Sequence, residues 1–406
     1  MKFVVTNTVL SNAGDAAIFE GIYAALRGDT RISVDELVIF DSNAHQTQPL
    51  YPELDIRQQY AYPRAGRWVS LNKFRKLARV LLLRSLTAAP AAVTRAITSL
   101  ISTVLPATTL ARALSGYSDA DVVISSGGTY LVDHYNFGPR VDELSFAKTV
   151  GAARTILWTQ SVGPFTDRKA HANAQRLAKY VDSAHFRDKR SQDAWTTAVG
   201  LTVNVTVNAD AAFMLDPPPE VPDNAHQVIF SVRDWKTGLD GQTLDVDQYE
   251  DAYRTIVQQI CLRALTPVAI STCQGLPGYN IDDSVVAARI FAGTATRIDG
   301  RHRSPDQLMA EIRKSALVVT TRMHLAILAL ICRVPVIAVA YEFKTIDLFN
   351  SVGLAECAIP IEDFTSSWLA GQVDRVLDEP GRWTLSAQQV SDLRESARVP
   401  AMEVAG

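Results

Sequence analysis

Thr320-Thr321-Arg322-Met323-His324, followed twenty positions later by Lys344, is the group of residues in this 406-residue chain best suited to chemistry. Imidazole titrates near neutrality and can give or take a proton. Guanidinium offers a planar fork of donors to a carboxylate or phosphate, whereas ammonium is a compact point charge. Arg, His and Lys converging on one place would make a site for a small, highly charged anion. The bland alternative is a solvated helix end with a structural lysine.

The flanking text, LVVTTRMHLAILALICRVPVIAVAYEFKTIDLF, says what positions these side chains. An apolar run over 317–320 ends in a polar turn. A helix then opens with Arg322 and His324 in its first turn, and a second apolar run over 334–340 ends at Tyr341, just before Lys344. This spacing predicts a strand–loop–helix–strand–loop unit. Both basic clusters then leave the carboxyl edge of one parallel sheet, where open α/β sheets bind ligands. The helix start adds free N–H groups and partial positive charge.

Other strand ends carry further candidates. Asn12-Ala13-Gly14-Asp15 joins the first strand to its helix. Asn12 can donate and accept, Gly14 allows close approach, and Asp15 reads equally as a helix cap or as a catalytic carboxylate. Ser125-Ser126-Gly127-Gly128-Thr129 follows a buried strand and is expected to expose backbone N–H groups at a helix start. Gln160, in Gln160-Ser161-Val162-Gly163-Pro164, and Arg187, in Phe186-Arg187-Asp188, end two more strands. Arg187 reads either as a ligand or as a surface ion pair with Asp188. Arg233 and Lys236 end the first strand of the second half. Asp119 and Asp121 mimic a DxD metal motif but lie at the wrong end of their strand. The remaining histidines, including His134, sit in no comparable context and read as structural.

Strands and helices alternate along the chain, which predicts an α/β protein with doubly wound parallel sheets. The proline-rich segment 216–224 reads as a stiff connector. The expected organisation is a Rossmann-like domain over 1–215 with a basic helical insert at about 56–118, the connector, a second Rossmann-like domain over 225–380, and a helix and tail over 381–406. The two parallel sheets are expected to face a central cleft.

Charge is uneven. From Ile56 to Ser118 there are ten Arg and Lys and no Asp or Glu, while the remainder carries 30 basic and 43 acidic residues. Within the basic part, Leu71, Phe74, Leu77, Leu81 and Leu82 fall at helical spacing. Segment 68–86 therefore reads either as a peripheral contact with an anionic membrane or as a core-facing helix with a solvated basic side. The overall net charge of −3 argues against a nucleic-acid partner. Four scattered cysteines without a CxxC pair predict reduced thiols and neither a disulfide frame nor a zinc site. The start, MKFVVTNTVLSN, reads as a strand and not as a signal peptide, and no apolar stretch reaches the roughly 18 residues a spanning helix needs. A cytoplasmic enzyme is the expectation. The chain lacks GxSxG, HExxH, Walker A and GxGxxG motifs, which disfavours serine hydrolase, metalloprotease, nucleotide kinase and dehydrogenase chemistry.

The ordered set NAGDAAI, SSGGTYLVD, TQSVGPF, FRDKRS, NADAAF, FSVRDW and TTRMHLAILAL…VPVIAVAYEFKTIDLFNSVGL resembles the polysaccharide pyruvyl transferase family. The resemblance runs from about residue 3 to 355 outside the 50–115 region. It departs where Ser126-Gly127-Gly128 stands in place of three glycines, on the acceptor side. The resemblance implies a GT-B-like fold and transfer of pyruvate from phosphoenolpyruvate onto two sugar hydroxyls as a cyclic ketal. It places Arg233, Arg322, His324 and Lys344 around phosphoenolpyruvate, with Arg187 and Lys236 as further members. It places Asn12, Asp15, Gly127, Gly128, Thr129 and Gln160 on the acceptor side. His324 is then the proton-transfer residue, with Arg322 and Lys344 as clamps.

Phosphoenolpyruvate is a co-substrate, and the chemistry needs no metal or other cofactor. The acceptor would be a saccharide of the cell envelope, lipid-linked or free. Two other readings stand beside this one: a GT-B glycosyltransferase using a nucleotide sugar, and a non-catalytic anion- or glycan-binding module.

Overall fold

Runs such as FVVTN, VVIS, VIFS and VIAVA are buried along their whole length in a computed structural model of the chain, as strands covered on both faces must be. The structure describes all residues except 61–68, 106–107, 134, 201–202, 220–224, 238, 240, 242 and 276–281, together with the side chains of 69–76 and 109. His134 and the second half of the 216–224 segment thus lie outside the described residues, as do the side chains of Leu71 and Phe74.

The chain divides into two compact units. The first comprises Met1–Ser11, Gly21–Ala211 and Ser396–Gly406. Its eight strands are β1 (Lys2–Thr8), β2 (Glu36–Asp41), β3 (Asp55–Gln58), β4 (Val122–Ser125), β5 (Gly128–Leu131), β6 (Arg154–Val162), β7 (Ser183–Phe186) and β8 (Asn204–Val207). They form one parallel sheet of order β3-β2-β1-β4-β6-β7-β8, with β5 paired to β6. Phe40 and Tyr117 stack with ring centroids 4.3 Å apart inside its core. The basic insert forms three helices, Val69–Ala88, Ala91–Val104 and Thr109–Tyr117, with Pro90 at the start of the second.

The second unit comprises Asn12–Glu20 and Ala212–Glu395. Its strands are β9 (Gln227–Ser231), β10 (Thr266–Ile270), β11 (Arg297–Asp299), β12 (Ser315–Thr320), β13 (Val336–Ala340) and β14 (Ala358–Pro360), in the parallel order β11-β10-β9-β12-β13-β14. The chain moves outward from β9 through β10 to β11. It then resumes on the other side of β9 with β12, so the order reverses between β9 and β12. The carboxyl ends of those two strands flank the crevice where ligands bind in such sheets.

Residues 1–215 were expected to form one domain, yet Asn12–Glu20 groups with the second unit. Asn12 forms an antiparallel bridge with Cys273, and the Ala13 amide donates to the Thr272 carbonyl at 3.1 Å. At the other end of the chain, the expected polar helix near 386–397 extends over Ala387–Ala405. Its last turns join the first unit, where Arg154 Nη2 donates to Glu403 Oε1 at 2.8 Å and His185 Nε2 lies 3.3 Å from Oε2.

The turn after β4 is a correction. GGTYLVD was expected to lead into a helix, but Gly128–Leu131 is a strand, and the next helix begins only at Gly138. Gly128 has φ +136°, and a Cβ there would lie 2.5 Å from the Tyr130 ring, so only glycine fits. Thr129 and Tyr130 are good strand residues, and β5 gains its partner in β6, Gly128 pairing with Gln160. Gly127, Gly128 and Thr129 therefore do not open a helix, and no helix-start anion site exists there.

Candidate functional site

The described candidate cations of the second unit gather along the β10–β9–β12–β13 edge. Thr320 at the end of β12 turns the chain: its hydroxyl accepts from the Arg322 amide at 2.8 Å. Arg322 then occupies the cap position of the Met323–Ile331 helix, where its side chain supplies no acceptor for the first-turn amides. Because β12 and β13 are parallel, with Thr320 paired to Ala338, the loops carrying Arg322 and Lys344 leave from the same edge.

Arg322 is 8% exposed and lies against Asp283, which is 1% exposed. Arg322 Nε donates to Asp283 Oδ2 at 3.1 Å, and Nη2 donates to Oδ1. Burial works against the guanidinium charge, but the neighbouring Cys273, Asp283 and Tyr341 hold its pKa above the ordinary arginine value. Asp283 is fixed in turn by the Thr272 hydroxyl, which donates to Oδ2 at 3.0 Å. In a buried pair of this kind the mutual attraction and the further hydrogen bonds offset the cost of taking the groups out of water.

His324 sits in the first turn of the same helix, half-buried against the Asn12–Gly14 loop. A Cβ on Gly14 would stand 2.7 Å from His324 Nδ1 and 3.2 Å from Asn12 Oδ1. Asn12, and not Asp15, caps the Ala13–Arg27 helix: its Oδ1 accepts from the Gly14 amide at 2.8 Å. Asp15 lies buried inside the first turn, where the helix end favours a carboxylate.

Arg233 follows β9 on the other side of the crevice. Its guanidinium carbon lies 4.7 Å from the Trp235 ring centroid and 4.5 Å from that of Tyr341. Arg233 Nη1 donates to the Tyr341 hydroxyl at 2.5 Å. The Tyr249 hydroxyl donates to the Arg233 carbonyl at 3.2 Å, and burial pushes its pKa up to about 12, so it remains a neutral donor. No carboxylate pairs with Arg233 among the described residues. Tyr341, within electrostatic range of Arg322, joins the two arginines into one cluster.

Lys344 lies in the first turn of the Phe343–Ser351 helix, with Nζ 2.5 Å from Glu342 Oε2. Lys236 is exposed beyond β9, where its carbonyl accepts from the Leu244 amide at 3.0 Å.

Arg187 and Gln160 belong to the first unit. Arg187 is committed there to Asp210 Oδ2 at 2.7 Å, Ser161 Oγ at 2.7 Å and Thr129 Oγ1 at 3.1 Å. Its carboxylate partner is Asp210, whereas Asp188 takes the Ser161 hydroxyl and caps the next helix. Gln160 is fully buried, and its amide donates to the Ser125 and Ser126 carbonyls, so it braces the β4–β5 turn.

Sequence reasoning missed Asp283, Trp235, Tyr341 and Tyr249 as partners in the cluster. Asp283 follows Asp282 at a helix start, a position that reads as capping, and its pairing with Arg322 depends on β10 and β12 flanking β9.

Two parallel sheets of this topology, with charged side chains at the carboxyl edge, define a protein of the GT-B class built from Rossmann-like domains. UDP-GlcNAc 2-epimerase from Neisseria meningitidis bound to UDP-GlcNAc superposes with a TM-score of 0.58 at 8% identity, covering 100% of this chain and 99% of that one. The UDP-GlcNAc 2-epimerase from Methanocaldococcus jannaschii superposes with a TM-score of 0.58 at 11% identity, covering 100% of both chains. At such identities the likeness concerns the fold alone. Residues 12–342 match the family model for polysaccharide pyruvyl transferase, and the chain belongs to that family. A relative in Erwinia amylovora, the amylovoran biosynthesis protein AmsJ, is 26% identical over 297 residues, 69% of this chain and 70% of that one.

Proposed function

We propose that this chain transfers pyruvate from phosphoenolpyruvate onto two hydroxyls of a sugar in a cell-envelope glycan or glycolipid precursor, forming a cyclic ketal and releasing phosphate. The observation that carries the reading is Arg233: a guanidinium lying against the touching Trp235 and Tyr341 rings at the sheet's reversal point, with no carboxylate partner among the described residues. Such a group is ready for an external anion. Family membership and the AmsJ likeness agree with a transferase of polysaccharide biosynthesis.

In this reading Arg233 grips the donor by its phosphate or carboxylate, and Lys344 supplies the second cation by exchanging Glu342 for substrate. Arg322, fixed by Asp283, contributes a permanent positive charge beside the helix start. Well-placed donors stabilise the departing phosphate by on the order of 3–4 kcal/mol each. His324 transfers the proton that the vinyl carbon gains as a sugar hydroxyl attacks the adjacent carbon. Phosphate leaves, and the second hydroxyl closes the ketal.

The test is phosphate release from phosphoenolpyruvate against a panel of free and lipid-linked hexosides, with nucleotide diphosphates in a parallel thermal-shift series. Phosphate release that requires a saccharide acceptor supports the reading. Stabilisation by nucleotide diphosphates without phosphate release from any acceptor would replace it with nucleotide-sugar transfer. Binding of phosphoenolpyruvate without turnover would leave an anion-binding module.

A further inference from the structure

The Ala91–Val104 helix of the first unit is turned the wrong way for a helix whose only partner is its own domain. Val93, Ile97, Leu100 and Val104, spaced 4, 3 and 4 residues apart, lie along one stripe and are 46, 38, 63 and 63% exposed. The opposite side carries Thr94 and Thr98, which are 0 and 3% exposed. The Thr94 hydroxyl donates to the Leu86 carbonyl at 2.6 Å, while Thr98 Oγ1 and Ser102 Oγ are buried with no hydrogen-bond partner among the described residues. The usual amphipathic rule places apolar side chains inward and hydroxyls outward; here, apart from Ile101, which packs against the core, it is inverted. Leu105 continues the exposed apolar run at 53%, and the preceding Val69–Ala88 helix exposes Leu77 and Leu81 at 55 and 51%. Exposed apolar surface arranged in this way marks an interaction site.

Charge decides what covers it. The chain from Ile56 to Ser118 holds ten Arg and Lys and no acidic residue. Asp55 and Asp142, from outside the segment, pair with Arg57, Arg84 and Arg112; Arg79 lies over the Tyr60 ring, Arg95 is exposed, and the other five basic side chains of the segment lie outside the described residues, so by sequence the segment stays strongly positive. A second copy of the same face would set basic against basic. A surface that is apolar at the interface and negative around it fits both properties. We infer that the Ala91–Val104 helix lies on an anionic lipid bilayer, its Val93–Val104 stripe inserted between headgroups and basic residues of the 56–118 segment drawn to lipid phosphates. No helix among the described residues is long and apolar enough to cross a membrane, so the contact is peripheral. The inference does not depend on pyruvyl transfer, because it concerns a surface of the first unit and not the cation cluster.

The test is co-sedimentation of the full chain with phosphatidylcholine vesicles and with vesicles containing phosphatidylglycerol, at low and high salt. The intact chain should bind the phosphatidylglycerol vesicles, and binding should weaken as salt screens the charges. A Leu100→Glu, Val104→Glu double variant should lose binding by about tenfold or more with its melting temperature unchanged. A Leu100→Ser, Val104→Ser pair, which adds no charge, should lose it in the same direction. Equal sedimentation with both vesicle types, or double variants that bind like the parent, overturns the inference. So does a parent that is a dimer by light scattering, ignores vesicles and becomes monomeric on substitution, because the stripe would then be covered by a second copy. Phosphate release on a free acceptor should be the same in all these variants, which keeps the result separate from the catalytic reading.

Discussion

Arg322 and Asp283 form a buried ion pair in which the Arg322 Nε donates to Asp283 Oδ2 at 3.1 Å and Nη2 donates to Oδ1. The pair ties the loop after β12 to the helix that follows β10, on either side of β9. Asp283→Asn should lower unfolding stability by about 3–5 kcal/mol, because a buried guanidinium loses its counter-charge. An Arg322→Met, Asp283→Leu double variant should regain much of that stability and none of the turnover. Urea unfolding beside phosphate release checks both halves, and a double variant with normal turnover would remove Arg322 from the reaction.

His324 stands against the Asn12–Gly14 loop. His324→Ala should reduce phosphate release from phosphoenolpyruvate by on the order of 10²–10⁴-fold while leaving the unfolding transition in place. Near-normal turnover would assign the proton transfer elsewhere.

Gly14→Ala would place a methyl carbon 2.7 Å from His324 Nδ1. The imidazole must then rotate away. A fall in kcat on the order of a hundredfold is expected, since small displacements of a reacting group carry large kinetic penalties. Steady-state kinetics beside a melting curve separates this from simple misfolding.

Arg233→Lys retains the positive charge but loses the planar guanidinium that lies against Trp235 and Tyr341. KM for phosphoenolpyruvate should rise by about tenfold, with a smaller change in kcat. An unchanged KM would show that the donor is held by other groups.

Glu403 sets a pH dependence in the first unit. The His185 imidazole, with Nε2 3.3 Å from Oε2, is the chief reason its carboxyl is held down to about 2, from an ordinary value of 4.5. With the folded-state value depressed, this stabilisation is complete above about pH 4.5 and is lost as pH falls through about 2. The contribution is about 2–3 kcal/mol, reduced from the full shift for partial exposure of the side chain. Glu403→Gln should therefore destabilise the protein at pH 7, and its difference from the parent should shrink as the pH is lowered below 4.5. Denaturant titrations at pH 7, 4 and 3 read this directly.

Much of the fold was legible because the central strands are written as apolar runs. Stretches such as QVIFS and VIAVA need cover on both faces, and helical patterns between them impose parallel order. The strands that escaped notice are short and marginal: β3 reads DIRQ, β11 RID and β14 AIP, all at sheet edges where a single partner suffices and apolar content is low. β5 was hidden by Gly127-Gly128 at its start, which read as a turn until pairing with β6 is known.

The residues themselves determine what kinds of groups reach the carboxyl edge of the second sheet. A strand must end where its apolar run ends, so Arg233, Arg322, His324 and Lys344 are delivered to that edge by local pattern alone. The inverted Ala91–Val104 helix and the charges that remain available to a ligand were decided only by tertiary structure. Arg322 is paired with Asp283, 39 positions away, and Arg233 is held by Tyr341, 108 positions away. Those meetings follow from strand order, which sets which loops are neighbours and which no local periodicity encodes.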